Sequence, residues 1–295
     1  MWLIQSFKKN ILKKPFSKLD IRAVNFENRV AYLSNIYSQF DPDYLQPVWN
    51  YKHTQGISLR NFRADNVYVW QKRNYRKKTL LESFRKVIQS DEHNLLEFMS
   101  EDGSFGVEQY DVDGKTFSRD LADSVLEINF LMNHLPKQPL RVLDIGAGYG
   151  RFARRCLECG FAKEVFCIDA IAISTALSEF YLAPQIANGS AKVVCFHHQD
   201  FLYSQEFDLA TNIHSFSEMS LTAVEKWVDL VAKLEIPWLF IVPNGPDLSL
   251  NDGTDFFHLL QRRGYNIHTR RKKYFNSTFC NQDFYPAIYY LLKLE

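Results

Sequence analysis

One short segment, Asp144-Ile145-Gly146-Ala147-Gly148-Tyr149-Gly150, constrains this chain more than any other. It follows the apolar pair Val142-Leu143 and precedes Phe152, Cys156 and Cys159, which share one helical face. A strand that turns through glycines into a helix opens a βαβ unit. Glycine permits the tight turn and lets a ligand approach the backbone closely. A dinucleotide-binding turn reads G-x-G-x-x-G. Here the sixth position from Gly146 is Arg151, and glycine returns one place earlier, at Gly150. Asp144, two residues before the first glycine, opposes a pyrophosphate and suits a ligand with a positive charge.

From Arg141 onward, short apolar runs alternate with helical periodicity. Runs at 165–168, 193–196, 207–213 and 238–242 read as buried strands, with two more near 266–271 and 284–292. Leu221, Val224, Val228 and Val231 keep helical spacing behind a Thr222–Glu225 capping box. Leu121, Val125, Ile128 and Met132 do the same behind Ser118 as cap, with Asp120 and Asp123 in the first turn. The pattern predicts an α/β fold with a doubly wound, mostly parallel, Rossmann-like sheet over 116–295. Residues 1–115, richer in Asn, Tyr and basic residues, form a mainly helical N-terminal region that shapes or covers the site.

Ligands of such sheets sit beyond the C-terminal strand ends. Asp169 ends the second run, about 20 residues past the turn, where an acid accepts from ribose hydroxyls. Asp200-Phe201 follows the third run: the acid can accept from an exocyclic amine, and the ring can stack on a purine. Together these residues describe a pocket for a nucleoside carrying a cationic amino-acid tail.

The acid-x-G-x-G-x-G turn and the acids behind it resemble the class I S-adenosylmethionine-dependent methyltransferases. That resemblance implies that Asp144, Gly146, Gly148 and Gly150 wrap the amino-acid end of S-adenosyl-L-methionine, Asp169 the ribose, and Asp200 with Phe201 the adenine. Further words lie in order along the chain: Phe62-Arg63-Ala64-Asp65-Asn66-Val67-Tyr68-Val69-Trp70-Gln71, Glu101-Asp102-Gly103-Ser104-Phe105-Gly106, Ser118-Arg119-Asp120-Leu121 and Asn212-Ile213-His214-Ser215-Phe216-Ser217-Glu218-Met219. From about Asn61 onward they resemble a group of sugar O-methyltransferases. The implied activity is methyl transfer to a hydroxyl of a sugar or sugar-containing metabolite, whether polysaccharide, lipid-linked, nucleotide-linked or glycosylated natural product.

A protonated hydroxyl is a poor nucleophile, so a general base is expected. His214 lies just past the fourth run and titrates near neutrality in its ordinary state. Glu218, four residues on, is placed to orient the imidazole, and Asn212 to bond the substrate or cofactor tail. Arg119, at a helix N-terminus, is a candidate for the cofactor carboxylate. Glu218, Asn244 and Asp247 could offer oxygens to Mg²⁺, but no ligand spacing demands a metal, and none is assigned. Three rivals stay open: a methyltransferase acting on another hydroxyl or an amine, a catalytically silent binding protein of the same fold, and a nicotinamide-dependent oxidoreductase.

Charge bounds the partners. With 35 Lys+Arg against 34 Asp+Glu, no global polyanion-binding surface is indicated, and a nucleic-acid partner is not expected. The run Arg270-Arg271-Lys272-Lys273 is a local exception that could meet an anionic substrate. No stretch is long and apolar enough to predict a membrane span. The first residues mix Trp2, Leu3, Ile4 and Phe7 with Lys8 and Lys9, a pattern that could associate weakly with a membrane surface. That start does not read as a signal peptide, and the 5 cysteines lack framework spacing, so a cytoplasmic location is expected. The Cys156-x-x-Cys159 pair has no partner pair at zinc spacing and reads as packing, and His197-His198 gains no metal role.

Overall fold

Val142 and Leu143 are adjacent on one strand, point to opposite faces, and are both fully buried. A sheet with that property is covered by helices on both sides. The computed structural model describes residues 18–40, 49, 54–64, 68, 77–136, 139–273 and 288–295. Among these, helices α1 (Lys18–Tyr37) and α2 (Lys77–Gln89) come first. A small hairpin follows, β1 (Tyr110–Val112) antiparallel to β2 (Lys115–Phe117). Then come α3 (Arg119–His134), β3 (Leu140–Ile145), α4 (Arg151–Glu158), β4 (Ala162–Asp169), α5 (Ala172–Tyr181), α6 (Ala183–Ala187) and β5 (Ala191–Cys195). The chain continues through β6 (Leu209–Ile213), α7 (Leu221–Lys233), β7 (Trp238–Val242), α8 (Phe257–Arg262), β8 (Tyr265–Lys272) and β9 (Ile288–Leu294).

The main sheet has 7 strands in the order β5-β4-β3-β6-β7-β9-β8. β3 to β7 run parallel; β9 is inserted antiparallel between β7 and β8. The order reverses beside β3, so β4 and β6 flank it and their C-terminal ends form one crevice. One core layer holds Val142, Val165, Phe240 and Tyr289 with Val125, Ile128, Phe152 and Cys156 from α3 and α4. The other holds Leu143, Phe166, Ile241 and Tyr290 with Val224, Trp227 and Val231 from α7. The expected doubly wound, mostly parallel fold with N-terminal helices is what forms. Of the expected last strand, 284–287 lie outside the described residues, as does the basic apolar start of the chain.

Ser118 caps α3 as expected, accepting from Leu121 N at 3.2 Å. The cap of α7 differs. Ser220, in extended backbone just before the first helical residue, accepts from Ala223 N at 3.1 Å. Thr222 therefore lies inside the first turn, and Glu225 faces Arg263 at 3.7 Å instead of closing a capping box. Among the described residues no helix is long and apolar enough to cross a membrane.

Candidate functional site

The glycine turn is built by positive φ at Gly146 (67°), Gly148 (59°) and Gly150 (86°). Gly146 N donates to Ile168 O at 2.9 Å, tying the turn to β4. A Cβ at Gly150 would lie 2.7 Å from the Leu182 side chain, and one at Gly148 would lie 3.3 Å from the Tyr68 ring. Both glycines are thus needed for packing as well as for backbone shape.

Asp169 closes the loop from the other side. Its carboxylate accepts from Gly148 N at 3.0 Å and from Ile171 N at 2.8 Å, joining the turn to the start of α5. Asp144 is 3 % exposed and accepts from Thr211 Oγ1 at 2.7 Å. Burial pushes both carboxyls up to about 7, with Thr211 opposing at Asp144 and the two backbone amides opposing at Asp169. An unfolded Asp ionises near 3.9, so between pH 4 and 7 the folded chain holds extra protons, and the contribution of each group to stability falls as pH rises. Asp144→Asn lacks that dependence. We expect it to gain roughly 2–4 kcal/mol on the wild type between pH 5 and pH 9, read from urea midpoints.

The cavity beyond these strand ends is bordered by Asp144, Gly146–Gly148, Asp169, His214 and Glu218, with Trp49 against Glu218 and Tyr68 against Gly148. Asp120, Asp123 and Arg151 also line it. Three of its carboxylates, Asp144, Asp169 and Glu218, have no basic group at ion-pair distance among the described residues. Such a wall favours a cation.

The expected acid–base pair is arranged differently from the sequence reading. His214 sits at φ 69°, an uncommon conformation for a side-chain-bearing residue, with its N–H donated to Val242 O at 2.7 Å. Its buried Nδ1 has no hydrogen-bond partner among the described residues. Burial, then the charges of Lys273 and Arg151, pushes the imidazole down to about 3, against the opposing pull of Asp123. The ring is neutral at pH 7 and a weak proton acceptor, so the expected near-neutral titration is corrected. Glu218 does not orient it. The Glu218 carboxylate accepts instead from Trp49 Nε1 at 2.7 Å and Asn244 Nδ2 at 3.3 Å, and burial pushes it above the usual range for a glutamate. Asn212 is fully buried and spent on scaffold: Nδ2 donates to Ile145 O at 3.0 Å, and Oδ1 accepts from Phe216 N at 2.8 Å.

Asp200 and Phe201 do not reach the cavity. After β5 the chain enters a 3-10 stretch, Phe196–Ser204, kinked at His198, which leaves Asp200 exposed and Phe201 46 % exposed. The Phe201 ring lies over Phe166, on the second core layer. Arg119 is likewise not in the cavity wall; it is buried 3.8 Å from Asp123, which also pairs with Lys273. Lys273, the last residue of the basic run that could meet an anionic substrate, is thereby buried against Asp123. Among the described residues no three of His, Cys, Asp and Glu gather as a metal site.

Sequence reading missed the network that joins the N-terminal region to the turn. The Arg63 guanidinium donates to Asp120 at 2.7 Å, Glu101 at 2.8 Å and Asp102 at 2.9 Å. Arg155 donates to the other Asp120 oxygen at 3.0 Å, and Tyr149, inside the glycine turn, donates to Asp120 at 3.0 Å. Burial works to raise the Asp120 carboxyl, but Arg155 and Arg63 outweigh it and hold it well below the usual range. Asp120→Ala takes from two buried guanidiniums the carboxylate they share, leaving Arg63 to Glu101 and Asp102 and Arg155 to Glu158 and Glu101. We expect it to cost about 3–5 kcal/mol of stability, seen as a lower denaturant midpoint.

No family model matches the chain, and no curated protein does. Solved structures of similar architecture are found. The cyclase SpnF is 12 % identical over 73 % of this chain and 95 % of its own, at a TM-score of 0.45. A Streptococcus agalactiae protein of the NAD-binding Rossmann superfamily is 12 % identical over 57 % and 67 %, at 0.44. An S-adenosylmethionine-dependent methyltransferase of Leishmania major is 16 % identical over 58 % and 72 %, also at 0.44. Likeness of this degree carries nothing about chemistry. The chain's own strand order and directions give it a Rossmann-like α/β architecture.

Proposed function

We propose that this chain is an S-adenosylmethionine-dependent O-methyltransferase acting on a hydroxyl of a sugar or sugar-containing metabolite. The observation that carries the cofactor assignment is the set of three carboxylates around the glycine turn, Asp144 and Asp169 buried and Glu218 partly so, that have no ion-pair partner among the described residues. They fit a ligand that is cationic at its sulfur and bears ribose hydroxyls. Asp169 and the backbone of Gly146–Gly148 would hold it, with Asp144 behind the turn. When bound, S-adenosylmethionine supplies an activated methyl group. The sugar assignment rests on the ordered words from Phe62 to Met219 described above.

Within this reading Glu218 is the general base. It lines the cavity from the 3-10 turn Ser215–Glu218 that follows β6, and its raised pKa strengthens it as a proton acceptor. His214, kept neutral, offers a ring nitrogen that can orient the acceptor hydroxyl. Calorimetry with S-adenosylmethionine and S-adenosylhomocysteine is the first test, followed by transfer of labelled methyl groups to free, nucleotide-linked and lipid-linked sugars. Micromolar binding and labelling of a sugar would support the reading. Absence of binding would leave the silent-fold rival standing, since a fold does not fix a function.

A further inference from the structure

Trp49 comes from outside the sheet, yet it reaches Glu218 across 169 residues of sequence. Its indole N–H donates to Glu218 Oε2 at 2.7 Å, and Asn244 Nδ2 donates to the other oxygen at 3.3 Å. The Trp49 ring packs on Tyr68 with centroids 4.9 Å apart and planes 34° apart. Tyr68 in turn lies against Gly148 and Tyr149 in the glycine turn, and its hydroxyl bonds Ser174 Oγ on α5 at 2.9 Å. The two rings therefore rest on the two segments that Asp169 ties together. The space left beneath them is about 100 Å³. A cavity of roughly 150 Å³ admits only a benzene-sized molecule. A nucleoside with an amino-acid tail is several times larger, so it must extend through the open side of the cavity or displace the rings.

We propose that Trp49 is the positioning residue by which the N-terminal region controls this site: its N–H aims the Glu218 carboxylate, and its ring, with Tyr68, gates access to the glycine turn. This rests on the proposed function for the identity of the ligand, but not for the contact with Glu218. The charged and titratable groups sharing the cavity with Glu218 are Asp144, Asp169, Asp120, Asp123, His214, Arg151, Tyr68 and Tyr149. Closed gates lower the competent fraction, and a minor open state of 0.1–10 % slows productive binding by about 10- to 1000-fold. Opening also breaks the Trp49–Glu218 bond, so ligand admission and release of the carboxylate are one event.

The test uses the full chain, with thermal melts confirming that each variant is folded. Trp49→Ala should speed S-adenosylhomocysteine association at least about tenfold in stopped-flow measurements. Trp49→Phe keeps a ring and loses the donor. Because opening no longer breaks a hydrogen bond, it should raise that rate by about tenfold, and it should raise the Glu218 titration midpoint by ~1–2 pH units, followed by carboxyl-carbon NMR, because the lost N–H stabilised the charged form. Glu218→Gln identifies the Glu218 resonance. An unchanged association rate in Trp49→Ala, or an unmoved Glu218 midpoint in Trp49→Phe, overturns the proposal. If S-adenosylhomocysteine binds no form of the chain, the proposed function fails, and the NMR midpoint alone decides the assignment of Trp49.

Discussion

Replacing Asp169 by alanine is expected to weaken S-adenosylhomocysteine binding by about 10²–10³-fold, measured by calorimetry against the wild type. Two losses combine. The carboxylate stops accepting from Gly148 N and Ile171 N, so the turn and the start of α5 lose their common anchor. In the proposed complex it also stops facing the ribose, where each charged hydrogen bond contributes about 1.5–3 kcal/mol. Asp169→Asn separates the two. One oxygen remains to accept a backbone amide, and the loss should shrink to about tenfold. Equal affinity in all three proteins would remove Asp169 from the site. Affinity unchanged only in Asp169→Asn would leave it a scaffold residue.

The second large effect belongs to Glu218. Glu218→Gln keeps the volume and an oxygen for the Trp49 N–H, but its amide cannot take a proton. Methyl transfer to an identified acceptor should fall by about 10²–10⁴-fold, while S-adenosylhomocysteine affinity stays within about threefold. The pH profile gives an independent reading. A base must be ionised to work, so wild-type turnover should rise with pH through the elevated Glu218 titration and then level off. The variant's residual rate should lack that rise. If His214→Ala flattens the rise and Glu218→Gln does not, the two roles are reversed.

What could be read from the chain divides by distance along it. The strand–glycine–helix unit, Asp169 at its strand end, the Ser118 cap and the helical faces of α3 and α7 all depend on residues within a few turns of one another. Local propensity and periodicity report these well. The α7 cap was misplaced by two residues because Ser220 and Thr222 are chemically equivalent candidates; backbone geometry decides between them. Asp200 and Phe201 failed for a different reason. A strand-end acid is useful only if the following loop turns toward the crevice, and the 3-10 stretch after β5 turns it outward. The His214 environment was illegible because its depressing charges come from Arg151 on α4 and from Lys273 just past β8. Trp49 carried no periodic signal at all; only folding brings it to Glu218.

The Arg63–Glu101–Asp120–Arg155 network has a consequence for recombination between related chains. Its members are drawn from both sides of residue 116, and they are buried together against Tyr149. A chimera that exchanged residues 1–115 for a foreign segment, without restoring a guanidinium at 63 and a carboxylate at 101, would seal unmatched charge into its interior. Exchange of the N-terminal region is therefore expected to be tolerated only as a whole block that carries these partners, or with substitutions around the seam.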